Sequence, residues 1–231
     1  TFNLPDSSIV DGSENFNTIT YTGNLTARVQ GGVGFQPDFV WGKTQSTGSN
    51  LFYDSVRGPF KYLSSNSTNP EFGTTAGLSS FEPDGFGLTA DTGYLNNVLP
   101  YVAWNWKAGG TAVSNTAGTA ATQVSANPTA GFSVVTYNVP GTNIATVSAP
   151  YTTGHGLSLP PELILWKTRN RTAGWTVYAE PIGPTKKLVL DTTAAESATG
   201  AFSNTSPNST VVTHGGYYET EPIVYYAFHS V

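Results

Sequence analysis

The chain repeats its own sequence, and this internal repeat constrains the fold more than any other feature. The segment 34–43 reads GFQPDFVWGK, and its counterpart 156–167 reads GLSLPPELILWK. The lead-ins Phe16–Tyr21 and Phe132–Tyr137 also match, and one loop insertion explains why the offset grows from 116 to 124 or 125 residues. A unit of roughly 100 residues has the size of an independent domain and far exceeds a solenoid period. We therefore expect two homologous units.

The repeated positions are mostly apolar residues and turn residues, whereas most reactive residues occur in one copy only. The segment 53–58 reads YDSVRG in the first copy, and its counterpart 178–183 reads YAEPIG. Asp54 and Arg57 are therefore not duplicated. This pattern favours a scaffold over an enzyme.

Short segments rich in β-branched and aromatic residues predict strands along the whole chain. Asn17–Thr22 alternates polar and apolar residues, and Tyr101–Trp106 is an alternating aromatic segment. Apolar residues do not recur at helical spacing over a helical length, and 25 Gly with 15 Pro interrupt every candidate helix. The predicted fold is all-β, with two tandem, internally repeated β-sandwich units of jelly-roll type.

The repeat and the composition place the domain boundaries. We expect an N-terminal arm over 1–15, a first sandwich over 16–107 and a second over 132–231. The Ala/Thr/Ser/Gly-rich segment 108–131 has almost no large apolar residue and predicts a linker. The arm carries the apolar pair Ile9-Val10, and we expect it to add to a neighbouring subunit of an oligomer.

The low content of charged residues points to a particular kind of surface. Charged residues make up 11% of the chain, against roughly 25% in typical soluble domains. The surface must therefore consist largely of Thr, Ser, Asn and Gly, as is common in extracellular and virion proteins. The chain has no Cys, which excludes disulfides and thiolate chemistry. It also has no Met, even at position 1, so we expect a processed product or a fragment.

Charge and hydrophobicity also exclude two classes of partner. The formal net charge is −5, and no basic stripe is present that could bind nucleic acid. The basic cluster Lys167, Arg169 and Arg171 is interpreted as a solvated loop. No apolar run approaches the roughly 20 residues that span a bilayer, so we expect no membrane insertion.

Carboxylate pairs are the first candidates for catalysis. Glu82 and Asp84 flank Pro83, and Glu219 and Glu221 flank Thr220, so each pair would share one face of a strand. A glycosidase needs two carboxylates that face each other across a sugar. Because both pairs lie before the last strand of their units, we interpret them as exposed turns.

Other reactive groups do not form a recognisable site. The glycine-rich segment Gly31–Gly34 lacks the Lys-Ser/Thr of a phosphate-binding loop, and no Gly-x-Ser-x-Gly elbow is present. Three histidines lie at no metal-ligand spacing from one another: His155, His214 and His229. We predict no catalytic, cofactor-binding or metal-binding residue.

Some aromatic residues fall at matching positions of the repeat. Trp41 and Trp166 lie in matching segments, as do Trp104 and Phe228. We therefore predict that these four side chains pack in the cores, with Trp41 and Trp166 on equivalent strands.

Trp106 and Trp175 have no obvious counterpart and are the better candidates for exposed rings. Asp54 and Arg57 are three residues apart across a predicted turn, which lets their side chains converge into an ion pair. Trp106, Trp175, Asp54 and Arg57 are our candidate ligand or interface residues.

The repeated segments resemble a repeat of virion proteins from marine tailed phages, cyanophages among them. The resemblance is carried by GFQPDFVWGK at 34–43, YDSVRG at 53–58 and YVAWNWKAGG at 101–110 in the first copy, and by GFSVVTY at 131–137 and GHGL at 154–157 in the second. It covers nearly the whole chain from Phe16 onward. It implies a tail-fibre or capsid-decoration protein and transfers no catalytic motif.

Three functions follow as hypotheses. The first is a non-enzymatic structural or adhesive protein of the virion surface, which binds other virion subunits, forms a homo-oligomer and serves host attachment. The second is a lectin-like carbohydrate-binding module of a secreted or surface protein, which would bind a host surface glycan. The third, a glycoside hydrolase or lyase, requires carboxylates that converge in one cleft.

Overall fold

The computed structural model describes residues 11–48, 50–91, 93–141, 149–216 and 220–231. Within these ranges the regular structure is β-strand except for two short 3-10 turns, Gly12–Glu14 and Glu180–Ile182. The all-β prediction is confirmed. Most of the predicted arm, with Ile9-Val10, lies outside the described residues, as does Glu219.

In the described residues the first unit contains nine strands, which form two antiparallel sheets. They are β1 (Phe16–Thr22), β2 (Arg28–Gln30), β3 (Phe39–Thr44), β4 (Asn50–Asp54), β5 (Lys61–Ser64), β6 (Phe72–Gly73), β7 (Leu78–Glu82), β8 (Gly85–Leu88) and β9 (Pro100–Trp106). The larger sheet has six strands in the order β1-β9-β3-β4-β5-β6, and the smaller has the order β2-β8-β7.

The second unit repeats this arrangement. Its strands are β10 (Val113–Asn115), β11 (Thr122–Asn127), β12 (Phe132–Asn138), β13 (Tyr151–Gly154), β14 (Leu163–Thr168), β15 (Thr176–Ala179), β16 (Lys186–Val189), β17 (Ser197–Ala198), β18 (Val211–His214) and β19 (Pro222–Phe228). The larger sheet has the order β10-β11-β12-β19-β14-β15-β16-β17, and β13 pairs with β18. The order from β12 to β17 matches that from β1 to β6 strand for strand.

The segment predicted as a linker instead supplies two strands of the second unit. β11 pairs antiparallel with β12, where Ser125 lies opposite Val134, and β10 pairs with β11. Val124 of β11 is buried in the core. The composition of 108–131 conceals these strands because backbone hydrogen bonds hold β11 to β12 and β10 to β11, and such bonds do not depend on large apolar side chains.

The strand registers correct the predicted aromatic correspondences. Trp41 lies opposite Trp104, and the corresponding pair in the second unit is Leu165 opposite Tyr226. Trp41 therefore corresponds to Leu165, although Trp166 is on the equivalent strand. A shift of one residue turns a side chain to the other face of a sheet. Trp41 accordingly faces the second unit, and Trp166 packs toward β13 and β18.

Three apolar cores separate four layers of sheet. The first lies between the three-stranded and six-stranded sheets, and the last lies between the eight-stranded and two-stranded sheets. The middle core joins the two large sheets and contains Phe39 and Phe52 from one unit with Val134 and Tyr226 from the other. Strands such as β19 are therefore buried on both faces, and the two units share one core.

Candidate functional site

The four candidate residues all lie where the two units meet. Trp175 precedes β15, is fully buried, and donates its indole Nε1–H to the carbonyl of Ser64 at 2.8 Å. The expectation of an exposed Trp175 ring is wrong, because the shared core covers this face of the sheet. Trp106 is partly buried and packs against Phe39 and Phe132, with ring centroids 5.1 Å and 6.1 Å away.

Asp54 and Arg57 form the ion pair that their spacing predicted. Asp54 ends β4, and the turn that follows lets its Oδ1 accept the backbone N–H of Arg57 at 2.8 Å. The guanidinium Nε lies 2.5 Å from Asp54 Oδ2, and both side chains are inaccessible to solvent. The pair is therefore a buried structural contact of the first unit.

A hydrogen-bond network extends from this pair into the second unit. Tyr226 of β19 donates its hydroxyl to Asp54 Oδ2 at 2.8 Å and accepts a hydrogen bond from Arg57 Nη2 at 3.1 Å. Arg57 Nη1 binds Glu71 at 3.0 Å, and Arg169 binds the same carboxylate at 2.9 and 2.8 Å. We name the set Asp54, Arg57, Glu71, Arg169 and Tyr226 the junction network.

The two arginines of the network keep the Glu71 carboxylate ionised. Burial by itself raises the pKa of Glu71, but the hydrogen bond from Arg169 and the charge of Arg57 hold it below its usual value. Burial and the neighbouring Asp54 raise the pKa of the Tyr226 hydroxyl, against the charge of Arg57, so Tyr226 stays protonated. Asp54 and Arg57 are inaccessible to solvent, whereas the side chains of Glu71 and Arg169 are 14% and 20% exposed. The hydrogen bonds of the network join the two units.

A second set of contacts joins a loop of each unit. Lys167 is buried and donates its ammonium to the carbonyls of Thr68, at 3.0 Å, and Ala173. Burial lowers the pKa of Lys167 to about 8, although Asp191 raises it. The interpretation of Lys167, Arg169 and Arg171 as a solvated loop is therefore wrong. Lys167 and Arg169 bind the first unit, and Arg171 pairs with Glu221.

The second unit contains a buried cluster centred on His214. Its Nε2 lies 2.8 Å from Thr153 Oγ1, which in turn lies 3.1 Å from the Tyr225 hydroxyl. In some enzymes a hydroxyl in such a position acts as a nucleophile, and the neighbouring imidazole acts as its general base. All three side chains are buried between the two-stranded sheet of β13 and β18 and the eight-stranded sheet, however, so no substrate can reach them. Burial lowers the pKa of His214 to about 3.

The glycine-rich loop binds a carboxylate of its own unit. Asp84 accepts the backbone N–H groups of Gly32 at 3.0 Å and Gly34 at 2.6 Å. These bonds lower the pKa of Asp84. Both glycines have φ near +90°, at +89° and +88°, a conformation that side chains disfavour. The loop therefore contributes turn geometry, and its N–H groups are already occupied.

Two of the open surface cavities exceed 500 Å³, and one lies on each unit. The larger, of about 620 Å³, lies beside β10 and β11 and is lined by small and uncharged residues such as Ser114, Asn115 and Val124. The other, of about 580 Å³, is lined by Leu25, Tyr62, Asp91 and Tyr94. Only the second combines aromatic rings with a carboxylate.

The described residues also bear on metal binding and on membrane insertion. In the described ranges, no group of three or more His, Asp or Glu residues lies close enough together to hold a metal ion. No helix within those ranges has the length and hydrophobicity needed to cross a membrane.

The sequence interpretation missed several residues that the fold brings together. Glu71 and Tyr226 carry no local motif, and they meet Arg57 only because the two large sheets stack. Trp41 and Trp104 were predicted to be core residues but are only partly buried. Their ring centroids lie 5.3 Å apart. The polar residues that alternate along β1 were the available signal for this exposure, because one of them, Thr18, lies opposite Trp104.

The comparisons with known proteins give one match. No curated protein and no solved structure matches the chain. Residues 11–231 match the model of a family described as "Domain of unknown function (DUF7483)". The match spans both repeat units.

Proposed function

The chain belongs to the DUF7483 family, and we propose that it is a non-enzymatic structural protein of an assembled surface, a capsid decoration or tail-fibre component of a phage-like virion. The junction network carries this proposal. The charged side chains that an enzyme would gather in an open cleft are used here to fasten one repeat unit to the next.

The other reactive groups support the same conclusion. The His214 cluster is buried, and the glycine-rich loop binds Asp84. An active site needs a nucleophile, acid or base that substrate can approach. These two groups do not meet that requirement, because the His214 cluster is buried and the Asp84 carboxylate binds a loop of its own unit.

The free edge of the first unit supports assembly. β11 covers the edge of β12, but in the described part of the chain no strand pairs with the outer edge of β1. This edge carries no charged residue, whereas natural monomers usually protect such edges with Lys or Pro. An uncharged free edge fits a protein whose neighbours are other subunits, and the resemblance to tailed-phage repeats supports virion subunits as those neighbours.

Fractionation of particles tests the proposal. Antibodies against the purified chain should label particles banded on a density gradient, and the chain should co-sediment with the major particle protein. A chain that remains in the soluble fraction while particles band without it contradicts the proposal. Enzyme activity on a polysaccharide, lost on substitution of one exposed carboxylate, would contradict the non-enzymatic assignment.

The cavity at Tyr62 favours a second function, carbohydrate binding. Tyr62 stacks on Phe72 with ring centroids 5.5 Å apart and meets Tyr94 edge-on at 5.4 Å, and Asp91 lies in the same wall. Sugars bind to aromatic faces flanked by hydrogen-bonding groups. The cavity replaces the predicted Trp106 and Trp175 as the candidate glycan site.

A glycan array distinguishes the two functions. If the chain is a lectin-like module, a defined glycan should bind and Tyr62→Ala should abolish the binding. Val98→Ala, which alters an exposed residue outside the cavity, is the matched control. A scaffold should bind no glycan on the array.

A further inference from the structure

We propose that copies of this chain assemble head to tail by repeating, between molecules, the packing that joins the two units within one molecule. This inference rests on the proposed structural function and names a partner for it, a second copy of the chain. The contact would join the second unit of one copy to the first unit of the next.

Two surfaces take part in the packing within one chain. Surface A consists of equivalent positions at the β3–β5 side of the first large sheet and the β14–β16 side of the second: Phe39, Phe52 and Leu63, and Leu163, Val177 and Leu188. Surface B consists of equivalent positions on β1, β9 and β3 of the first large sheet and on β12, β19 and β14 of the second: Phe16, Thr18, Trp41 and Trp104, and Phe132, Val134, Leu165 and Tyr226.

Within the chain, surface A of the first unit packs on surface B of the second. Phe39 stacks on Tyr226 with ring centroids 4.2 Å apart and lies 5.9 Å from Phe132. Phe52 meets Tyr226 edge-on at 5.6 Å. All of these side chains are buried.

This contact is heterologous, because each unit uses a different surface. A heterologous contact between homologous units leaves one copy of each surface unused, that is, without its equivalent partner, and it generates rings or filaments when it is repeated. These two copies are partly covered within the chain, since Val177 of surface A is buried in the middle core and Trp41 of surface B packs against that core. The unused surface B of the first unit has Phe16 41% exposed, and the unused surface A of the second has Leu163 and Leu188 each 37% exposed. Their counterparts in the other unit, Phe132, Phe39 and Leu63, are buried.

The unused surface B retains the chemistry of an interface. Thr18 is exposed at the position where the second unit has the buried Val134. Trp41 and Trp104 remain partly exposed, and among the described residues the indole Nε1 of Trp41, itself shielded from solvent, has no hydrogen-bond partner. Partly exposed tryptophan rings are typical of interfaces, so these two rings fit a contact that is completed by another molecule.

The occupant follows from the repeat. Within the chain, surface B of the second unit is covered by surface A of the first unit. The copy of surface A that lacks such a partner lies on the second unit, and the copy of surface B that lacks one lies on the first unit. Phe39 of surface A contacts Phe132 and Tyr226, and Leu163 has the position of Phe39. Leu163 of one copy is therefore placed against Phe16 and Trp104 of the next.

Disulfide trapping tests this orientation directly, because the chain contains no Cys. Phe16→Cys and Leu163→Cys variants are prepared separately and oxidised alone and as a mixture. A disulfide between the two variants should dominate in the mixture, and each variant alone should give little. Val113→Cys, at an exposed valine of β10, is the control for random collision. Equal trapping with Val113→Cys, or dimers of Phe16→Cys alone, overturns the head-to-tail arrangement.

A matched pair of threonine variants tests the surface without removing an apolar side chain. Thr18→Lys places a charge in surface B. Thr22→Lys places the same charge elsewhere on β1, at a position equivalent to Asn138, which is exposed in the second unit. In sedimentation velocity, the mass of the wild type and of Thr22→Lys should rise with concentration, and Thr18→Lys should remain monomeric with an unchanged melting temperature. A wild-type monomer at every concentration, or assembly of Thr18→Lys, overturns the proposal.

The outcomes also separate this inference from the proposed function. A chain that is found on particles but does not self-associate retains its structural function and loses the head-to-tail contact. A chain that self-associates but is absent from particles retains the contact and loses the assigned function.

Discussion

At the scale of single residues, Arg57 is the centre of the junction network, with two carboxylates of its own unit and one hydroxyl of the second unit as partners. Its buried guanidinium reaches Asp54, Glu71 and Tyr226. A buried charge that loses its partner keeps the cost of leaving water without the compensating attraction. The stabilising effect of this network therefore differs in kind from that of a surface ion pair.

Replacement of Arg57 by alanine is expected to lower the free energy of unfolding by about 3–5 kcal/mol, since it leaves Asp54 and Glu71 without their central partner. Lys186→Ala is the control, because Lys186 and Glu196 form an exposed pair worth about 1 kcal/mol or less. Urea denaturation measures both values. Similar losses for the two variants would show that the junction network does not stabilise the fold.

His214 should make the protein sensitive to acid. Burial lowers its pKa to about 3 in the fold, whereas the imidazole of an unfolded chain has a pKa of about 6.5. Because the folded-state pKa is the lower one, the unfolded state takes up the proton first. The contribution of His214 to the free energy of unfolding is therefore fully present above about pH 6.5. Below that pH the free energy of unfolding falls by about 1.4 kcal/mol for each pH unit, down to about pH 3.

The variant His214→Gln removes this titration and keeps a side chain that can hydrogen-bond Thr153. The difference between wild type and variant in free energy of unfolding should therefore shrink or reverse as the pH falls from about 7 to about 4. His155, whose pKa burial also lowers, remains in both proteins. Parallel pH profiles for the two proteins would contradict the assignment to His214.

At the scale of strands, the two units differ most at one edge of their large sheets. The second unit extends past β12 with β11 and β10, and in the described residues the first unit has no equivalent strand beyond β1. β11 is held by pairing with β12 and by the burial of Val124. The low apolar content of 108–131 therefore does not make this segment a flexible connection.

Hydrogen exchange is the measurement that separates a strand from a linker here. The backbone amides of β11 that pair with β12 should exchange far more slowly than those of residues 193–196, which lie outside the strands. The reason is that paired amides exchange only when the ladder opens. Fast exchange throughout 108–131 would restore the linker interpretation.

At the scale of the whole molecule, the middle core decides how the units behave. Phe39 and Phe52 of the first unit are buried only because the eight-stranded sheet covers them. Separation of the units would expose this apolar surface to water, at a cost roughly proportional to its area. The two sandwiches therefore act as one block.

We expect thermal unfolding in a single transition in which both units melt together. The calorimetric and van't Hoff enthalpies should agree, as they do for a two-state process. Phe39→Ala should lower the free energy of unfolding by about 3–5 kcal/mol and keep one transition, because it leaves a cavity in the shared core. Two resolved transitions in the wild-type protein would show that the units unfold independently.

The amino-acid sequence by itself determined the all-β class, the duplication and the ion pair of Asp54 with Arg57. Each of these depends on short-range information, such as alternation along a strand, glycine and proline at turns, and a spacing of three residues. The equivalence of the strands that contain Trp41 and Trp166 was also readable, because a repeat preserves strand order.

Only the tertiary structure decided which face each side chain occupies and what it meets there. A shift of one residue separates Trp41 from the position of Trp166 and moves the ring to the opposite face of its sheet. The burial of Trp175, the strands within 108–131 and the meeting of Arg57 with Tyr226 depend on the stacking of two sheets far apart in sequence. Such contacts have no local pattern, since they arise from the packing of whole faces.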